Sequence, residues 1–268
     1  MRQLVTTLSR SAAARRLVQR LRLHRLGNWW LRRRPVIRHL AGSDVIYRAT
    51  RLESIPLAVE MFDQGVLYDA SLLPKGFTTF VDLGCNVGYF TCWLAHLARG
   101  RTLRGLMLDA NPQAVEEARW HAHANRMPEV HGLHGIVGEG EPGATAEFFL
   151  YDSNICSTSH LPDTARMQLT GKWERIEVPC VRIEEEWRKR FGEARCHLLK
   201  IDIEGSELSF LKAETPFLQR CDSVLVEWHK WTVSLAQLQE FLHEQHFDYV
   251  KTLEENDQMG TAFFLRRS

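Results

Sequence analysis

The segment Val81-Asp82-Leu83-Gly84-Cys85-Asn86-Val87-Gly88-Tyr89-Phe90 constrains this chain more than any other. An apolar run enters a turn with two glycines, and the turn leads directly into an apolar segment. Strand, tight turn and helix in that order open a βα unit, and the glycines allow close backbone and ligand approach at the helix start. The dinucleotide fingerprint would need glycines at 86 and 89, where Asn86 and Tyr89 stand, and no Gly-Lys-Ser/Thr phosphate loop follows. With Asp82 at the strand end, the turn suits a ligand bearing an ammonium and a carboxylate better than a pyrophosphate. A plain tight βα turn is the alternative.

The rhythm continues in both directions. Thr78 to Leu83 reads as a buried strand and Val87 to Leu97 as a helix; Leu103 to Leu108 and Pro112 to Asn125 repeat the pair, and Val130 to Val137 adds a third strand. Ahead of them lie a strand-like Val45-Ile46-Tyr47, a helix around Ile55 to Gln64 and a turn near Gly65. Ala146 to Tyr151 and Ile176 to Val181 look antiparallel, with a polar stretch between them. The βα pattern returns with Leu198 to Asp202, a helix from Ser206, strand Ser223 to Trp228 and a helix from Leu235 to His243. Two closing strands follow, Phe247 to Thr252 and Ala262 to Leu265. Strands alternating with helices predict a doubly wound, mostly parallel sheet with an antiparallel pair at one edge.

Three strand ends carry candidate chemistry. Asp109 ends the second strand, where a carboxylate can accept both hydroxyls of a ribose; its bland role is to cap the helix opening at Pro112. Asp202 ends the fourth strand in Lys200-Ile201-Asp202-Ile203-Glu204-Gly205-Ser206-Glu207. Lys200 reads equally as an in-sheet partner for an acid, and Glu207 as a first-turn acid favouring the helix dipole. Glu227-Trp228-His229 ends the fifth strand, with His229 either a general base or a structural histidine.

Charge is distributed unevenly. Residues 1–43 hold 11 arginines and no acid. With those removed from the 34 basic residues, 23 face 33 acids, a net charge of −10 on the remainder. An acidic body argues against a nucleic-acid groove on the main domain, because phosphate binding draws on clustered Lys and Arg. Residues 1–40 read as a basic amphipathic helix that ends near Pro35, with Trp29 and Trp30 on its apolar stripe. It suits an anionic membrane surface, an organelle presequence, or packing on its own domain. No apolar run is long enough to span a bilayer. None of the six cysteines, Cys85, Cys92, Cys156, Cys180, Cys196 and Cys221, has C-x-x-C or zinc spacing, which predicts thiols in a reducing, cytoplasmic compartment.

The combination of VDLGCNVGYFT, LDANP, LLKIDIEGSE and VLVEWH resembles the FkbM-type S-adenosylmethionine-dependent methyltransferases over about residues 45 to 265. The resemblance implies a class I methyltransferase fold, α/β with a seven-stranded, mostly parallel sheet and an antiparallel edge strand. The domain spans 44–268, preceded by the basic extension 1–43. It further implies that Asp82, Gly84, Asn86 and Gly88 hold the methionine part of the cofactor and Asp109 its ribose. The family's usual Glu-Pro-Asn-Pro is here Asp109-Ala110-Asn111-Pro112, shorter by one methylene but in register. The stretch Asn154 to Ser159 looks like the family's Ser-rich loop. The implied reaction is O-methylation of a small-molecule or glycan-like hydroxyl. Asp202, Glu204 and His229 are the candidates for removing the acceptor's proton, and a divalent cation such as magnesium at Asp202 is the other route. The alternatives are a methyltransferase acting on RNA or protein, though Lys200 to Ser206 stands where an Asn-Pro-Pro-Tyr signature would be, and a non-catalytic cofactor-fold module tethered through the basic arm.

Overall fold

The computed structural model describes residues 23–64, 68–138, 140–141, 143–151 and 173–267. The first 22 residues of the basic segment, the turn at Gly65, Cys156 and the Ser-rich stretch 154–159 lie outside them.

Helix α1 (Leu23–Arg33) ends just ahead of Pro35, and a short hairpin follows, β1 (Val36–His39) with β2 (Ile46–Ala49). Strand β1 falls inside the segment read as helical arm. The described part of that segment packs on the α/β body. Leu31 is buried, and the Leu52 N–H donates to Asn28 Oδ1 at 2.8 Å. Helix α2 (Ser54–Ala58) continues as a wider π-type turn through Val59–Gln64.

The α/β core then runs β3 (Thr79–Leu83), α3 (Tyr89–Ala98), β4 (Arg104–Asp109), α4 (Pro112–Ala124) and β5 (Val130–His134). An antiparallel pair, β6 (Thr145–Tyr151) and β7 (Trp173–Pro179), is set against the end of β5 through a bridge between Ile136 and Cys180. Helix α5 (Ile183–Phe191) leads to β8 (Leu198–Ile201), then α6 (Glu207–Ala213), α7 (Thr215–Leu218), β9 (Ser223–His229), α8 (Leu235–Glu244), β10 (Phe247–Glu255) and β11 (Met259–Arg266).

Seven of these strands form one sheet in the order β10-β11-β9-β8-β3-β4-β5. The expected closing hairpin does lie at one edge. Within it the antiparallel member is the inner strand: β11 pairs antiparallel with both β9 and β10, so β10 at the rim points the same way as the rest. This is the class I methyltransferase arrangement.

Strand periodicity fills both faces of the sheet. Val81, Leu83, Leu106, Leu108, Leu199 and Ile201 belong to one apolar layer with Trp187, Phe210 and Phe217. Phe80, Met107, Leu198 and Leu225 belong to the other, with Phe90 and Leu94 from α3. All five residues of β3 are buried, as expected for a central parallel strand covered by helices on both sides. From β3 the chain adds β4 and β5 on one side; β8 and β9 lie on the other. The order therefore reverses between β3 and β8. Open α/β sheets bind ligands at such a reversal, beyond the carboxyl ends of the strands.

Candidate active site

The turn after β3 is held open by its neighbours. The N–H groups of Gly84 and Cys85 both donate to Leu108 O, at 2.9 and 3.0 Å, which ties the turn to the end of β4. Asp109 completes that tie. Its Oδ2 accepts from the Asn86 N–H and its Oδ1 from the Asn111 N–H, both at 2.8 Å. The cap of α4 is Asn111, whose Oδ1 accepts from Gln113 N at 3.0 Å. The capping role that competed for Asp109 thus falls to Asn111, and Asp109 faces the crevice. Burial pushes its carboxyl up to about 6, against the pull of the two backbone N–H donors.

The two glycines serve packing first. A Cβ at Gly84 (φ +70°) would lie 1.7 Å from Asp202 O, so only glycine lets the ends of β3 and β8 meet. A Cβ at Gly88 (φ +84°) would come within 2.9 Å of Ala118, where α3 crosses α4. At both positions a side chain would meet protein atoms.

A cavity of about 560 Å³ opens at the switch point. Gly84, Asn86, Asp109, Asp202, Glu204 and His229 line it together; Asp82 and Gly88 are not among the lining residues. Asp82 is instead fully buried beneath the turn. It sits opposite Lys200 in the parallel register of β3 and β8, and its Oδ1 lies 3.2 Å from Lys200 Nζ. The same ammonium donates to Gly84 O at 3.1 Å and reaches Asp202 Oδ2 at 3.3 Å. Burial alone would discharge this amine, but Asp82 and Asp202 reverse that and hold it well above the lysine range. Burial likewise pushes the Asp82 carboxyl up, with Lys200 opposing. Lys200 thus clamps the turn, the buried acid and the crevice acid to one point.

Beyond β8 the backbone turns through Glu204 (φ +52°) and Gly205 (φ +105°). The Gly205 N–H donates to Glu207 Oε1 at 2.9 Å, and that oxygen also meets His229 Nδ1 at 2.8 Å. Glu207 is fully buried in the first turn of α6, where the helix dipole favours an acid, and it also orients an imidazole. The other ring nitrogen, Nε2, faces Glu204 Oε2 at 3.3 Å and Glu227 Oε1 at 3.8 Å. Although burial opposes a charge there, the hydrogen bond to Glu207 and the surrounding carboxylates lift His229 to about 9. A raised pKa favours the imidazolium form, which donates rather than accepts a proton. Burial pushes Glu204 to about 8 and, with Asp202 adding repulsion, Glu227 also to about 8.

Asp202, Glu227 and His229 each bring one ligand atom to within 4.8 Å of the others, a geometry that can hold a metal ion. Glu227 is a site residue beyond those expected from the sequence. Its signal was the two-residue spacing to His229, which puts both side chains on one face of β9. The five described cysteines are all buried, and Cys85, Cys92, Cys196 and Cys221 are free thiols. Among the described residues, no helix is long and apolar enough to cross a membrane.

Three solved structures align with most of this chain, and the first supports the fold. A methyltransferase FkbM from Methylobacillus flagellatus KT aligns with a TM-score of 0.50 at 15% identity, covering 75% of this chain and 47% of that one. A SAM-dependent methyltransferase from Aquifex aeolicus aligns at 0.45 and 12% identity, over 78% and 93% of the two chains. TrmK of M. capricolum, solved with S-adenosyl-homocysteine, aligns at 0.43 and 11% identity over 74% of this chain. The chain spans 65% of the TrmK chain and about half of the Methylobacillus protein. No curated protein matches the sequence. The methyltransferase FkbM domain family model matches residues 82–250, from the acid beneath the glycine turn to the rim strand. The chain belongs to the FkbM methyltransferase family.

Proposed function

We propose that this protein transfers the methyl group of S-adenosylmethionine to a hydroxyl oxygen of a small-molecule or glycan-like acceptor. The observation that carries the reading is the placement of two polar groups across one switch point: Asp109 on the β4 side, and Asp202 with Glu227 and His229 on the β8–β9 side.

The residues present fit the cofactor. Each Asp109 oxygen spends one lone pair on a backbone N–H, leaving capacity for ribose hydroxyls. Gly84 and Asn86 line the stretch that would take the methionine part, while Ile136, Val137 and Phe148 give an apolar wall for a purine. Asp82 and Gly88 support the turn from outside the cavity. When bound, the cofactor supplies an electrophilic methyl on a sulfonium.

The acceptor needs an in-line position and a route for its proton. Two carboxylates and an imidazole suit a divalent cation such as magnesium or manganese, with Asp202, Glu227 and His229 as ligands. Such an ion would polarise the acceptor oxygen and lower its pKa. Glu207 keeps the His229 proton on Nδ1, which leaves Nε2 as the ligating nitrogen. Glu204, pushed to about 8, becomes a proton acceptor as pH rises through that value. Glu53, Glu60, Asp202, Glu204 and Glu227 all line the cavity, which disfavours a phosphate-rich acceptor and supports a neutral one.

The test is transfer of labelled methyl from S-adenosylmethionine into fractionated cell extract, with Asp202→Asn as control. Label in an alkali-stable ether of the small-molecule or glycan fraction is the expected product. Label confined to RNA or protein would overturn the acceptor assignment.

A further inference from the structure

Helix α1 carries an apolar stripe that is exposed among the described residues. Leu26, Trp29 and Trp30 are 65%, 56% and 51% exposed, and with Arg33 they recur at helical spacing along one side. Leu31 and Asn28 lie on the opposite side and face the body. Leu31 is buried, and Asn28 accepts from Leu52 N and donates to Glu53. A water-facing helix normally shows the reverse, apolar in and polar out. Past the helix, Ile37 is also 52% exposed.

The charged residues of α1 and of the following β1 have one sign. Arg32, Arg33, Arg34 and Arg38 are all exposed, and the Arg33 guanidinium stacks over the Trp29 ring at 3.8 Å. No acid occurs before Asp44. Indole rings with an apolar body and one polar N–H, flanked by guanidinium groups, match the boundary between acyl chains and anionic headgroups. A partner protein of ordinary charge would present acids and bases alike, and a second copy would bring its own arginines against these.

The helix lies close to the turn that leads into α2: a Cβ at Gly27 would come 2.6 Å from Leu52 Cδ1, and Asn28 bonds to Leu52 and Glu53. Glu53, on that turn, lines the cavity. We infer that the exposed Leu26–Trp29–Trp30 face, with its arginine rim, docks this protein peripherally on an anionic bilayer.

The test is flotation of the full chain with vesicles of phosphatidylcholine alone and with phosphatidylserine added. Binding is expected only to the anionic vesicles and should fade as salt rises. Trp29→Ala/Trp30→Ala should abolish it, and each of Arg32→Gln, Arg33→Gln and Arg34→Gln should weaken it about five-fold. All are exposed positions, and unchanged cofactor binding by the variants shows that they fold. No binding by the wild type, or equal binding by the double tryptophan variant, would overturn the inference. So would a concentration-dependent dimer that the double variant loses in the absence of vesicle binding.

Discussion

Removing Lys200 should cost far more than losing a surface lysine, and in a specific pattern. Lys200→Met deletes the ammonium 3.2 Å from Asp82, a carboxylate with no accessible surface. Breaking a buried ion pair from one side leaves an uncompensated charge, typically about 3–5 kcal/mol. The bond to Gly84 O is lost as well, so the turn loosens from β8. Replacing both partners by apolar groups, Asp82→Leu with Lys200→Met, removes the stranded charge and should recover a good part of the loss. The coupling energy should reach about 2 kcal/mol, within the range for residues in direct contact. Urea unfolding of wild type, both single variants and the double variant measures it, with equal m-values as the check on two-state behaviour. The acid dependence follows from the same geometry. Asp82 in the Lys200→Met protein has a folded-state pKa raised above its unfolded value, so its cost is present at neutral pH and shrinks as protonation neutralises it. The deficit should therefore narrow as pH falls from about 7 toward about 5. Losses that add to within about 0.5 kcal/mol, or a deficit independent of pH, would refute the clamp.

Asp109→Ala should weaken S-adenosylmethionine binding by about 1.5–3 kcal/mol and also lower stability, because the Asn86 and Asn111 N–H groups lose their acceptor; calorimetry and melting report the two effects separately. Cofactor affinity in the wild type should fall as pH drops through about 6, since an ionised Asp109 carboxylate accepts ribose hydroxyls more strongly than the protonated acid; titration across that range checks it. Manganese or magnesium affinity should likewise rise with pH, up to about 9: a cation must displace protons from Glu227, held at about 8, and from His229, held at about 9. Each proton released makes affinity change about ten-fold per pH unit, measurable by calorimetry in buffers of different ionisation heat. Glu227→Gln binding the metal as tightly as wild type would eliminate the three-ligand site.

The sequence by itself determined the parts that local periodicity encodes. Thr79–Leu83, Gly84 to Gly88 and Tyr89–Ala98 appear where an apolar run, two glycines and a second apolar run place them. The next strand had to end at Asp109 for the same reason. The βα alternation fixed a mostly parallel sheet, and with it a crevice beyond the strand ends. Tertiary structure alone decided which side chains meet there. Asp82 looked like a ligand contact because it ends a strand at the glycine turn. Only the pairing of β3 with β8, 116 residues apart at the Lys200–Gly84 bond, turns it inward onto a lysine. Gly84 reads locally as a turn residue, yet its need for glycine comes from the Asp202 carbonyl of the neighbouring strand. Glu207 and His229 are joined across 22 residues by a buried hydrogen bond that neither segment announces. The stripe on α1 is the same case in reverse: Leu26, Trp29 and Trp30 have the spacing of a buried face, and only the packed body shows that Leu31 and Asn28 took the inner side. Periodicity states which residues share a face; which face is covered depends on long-range register and packing, and those are set only when distant segments meet.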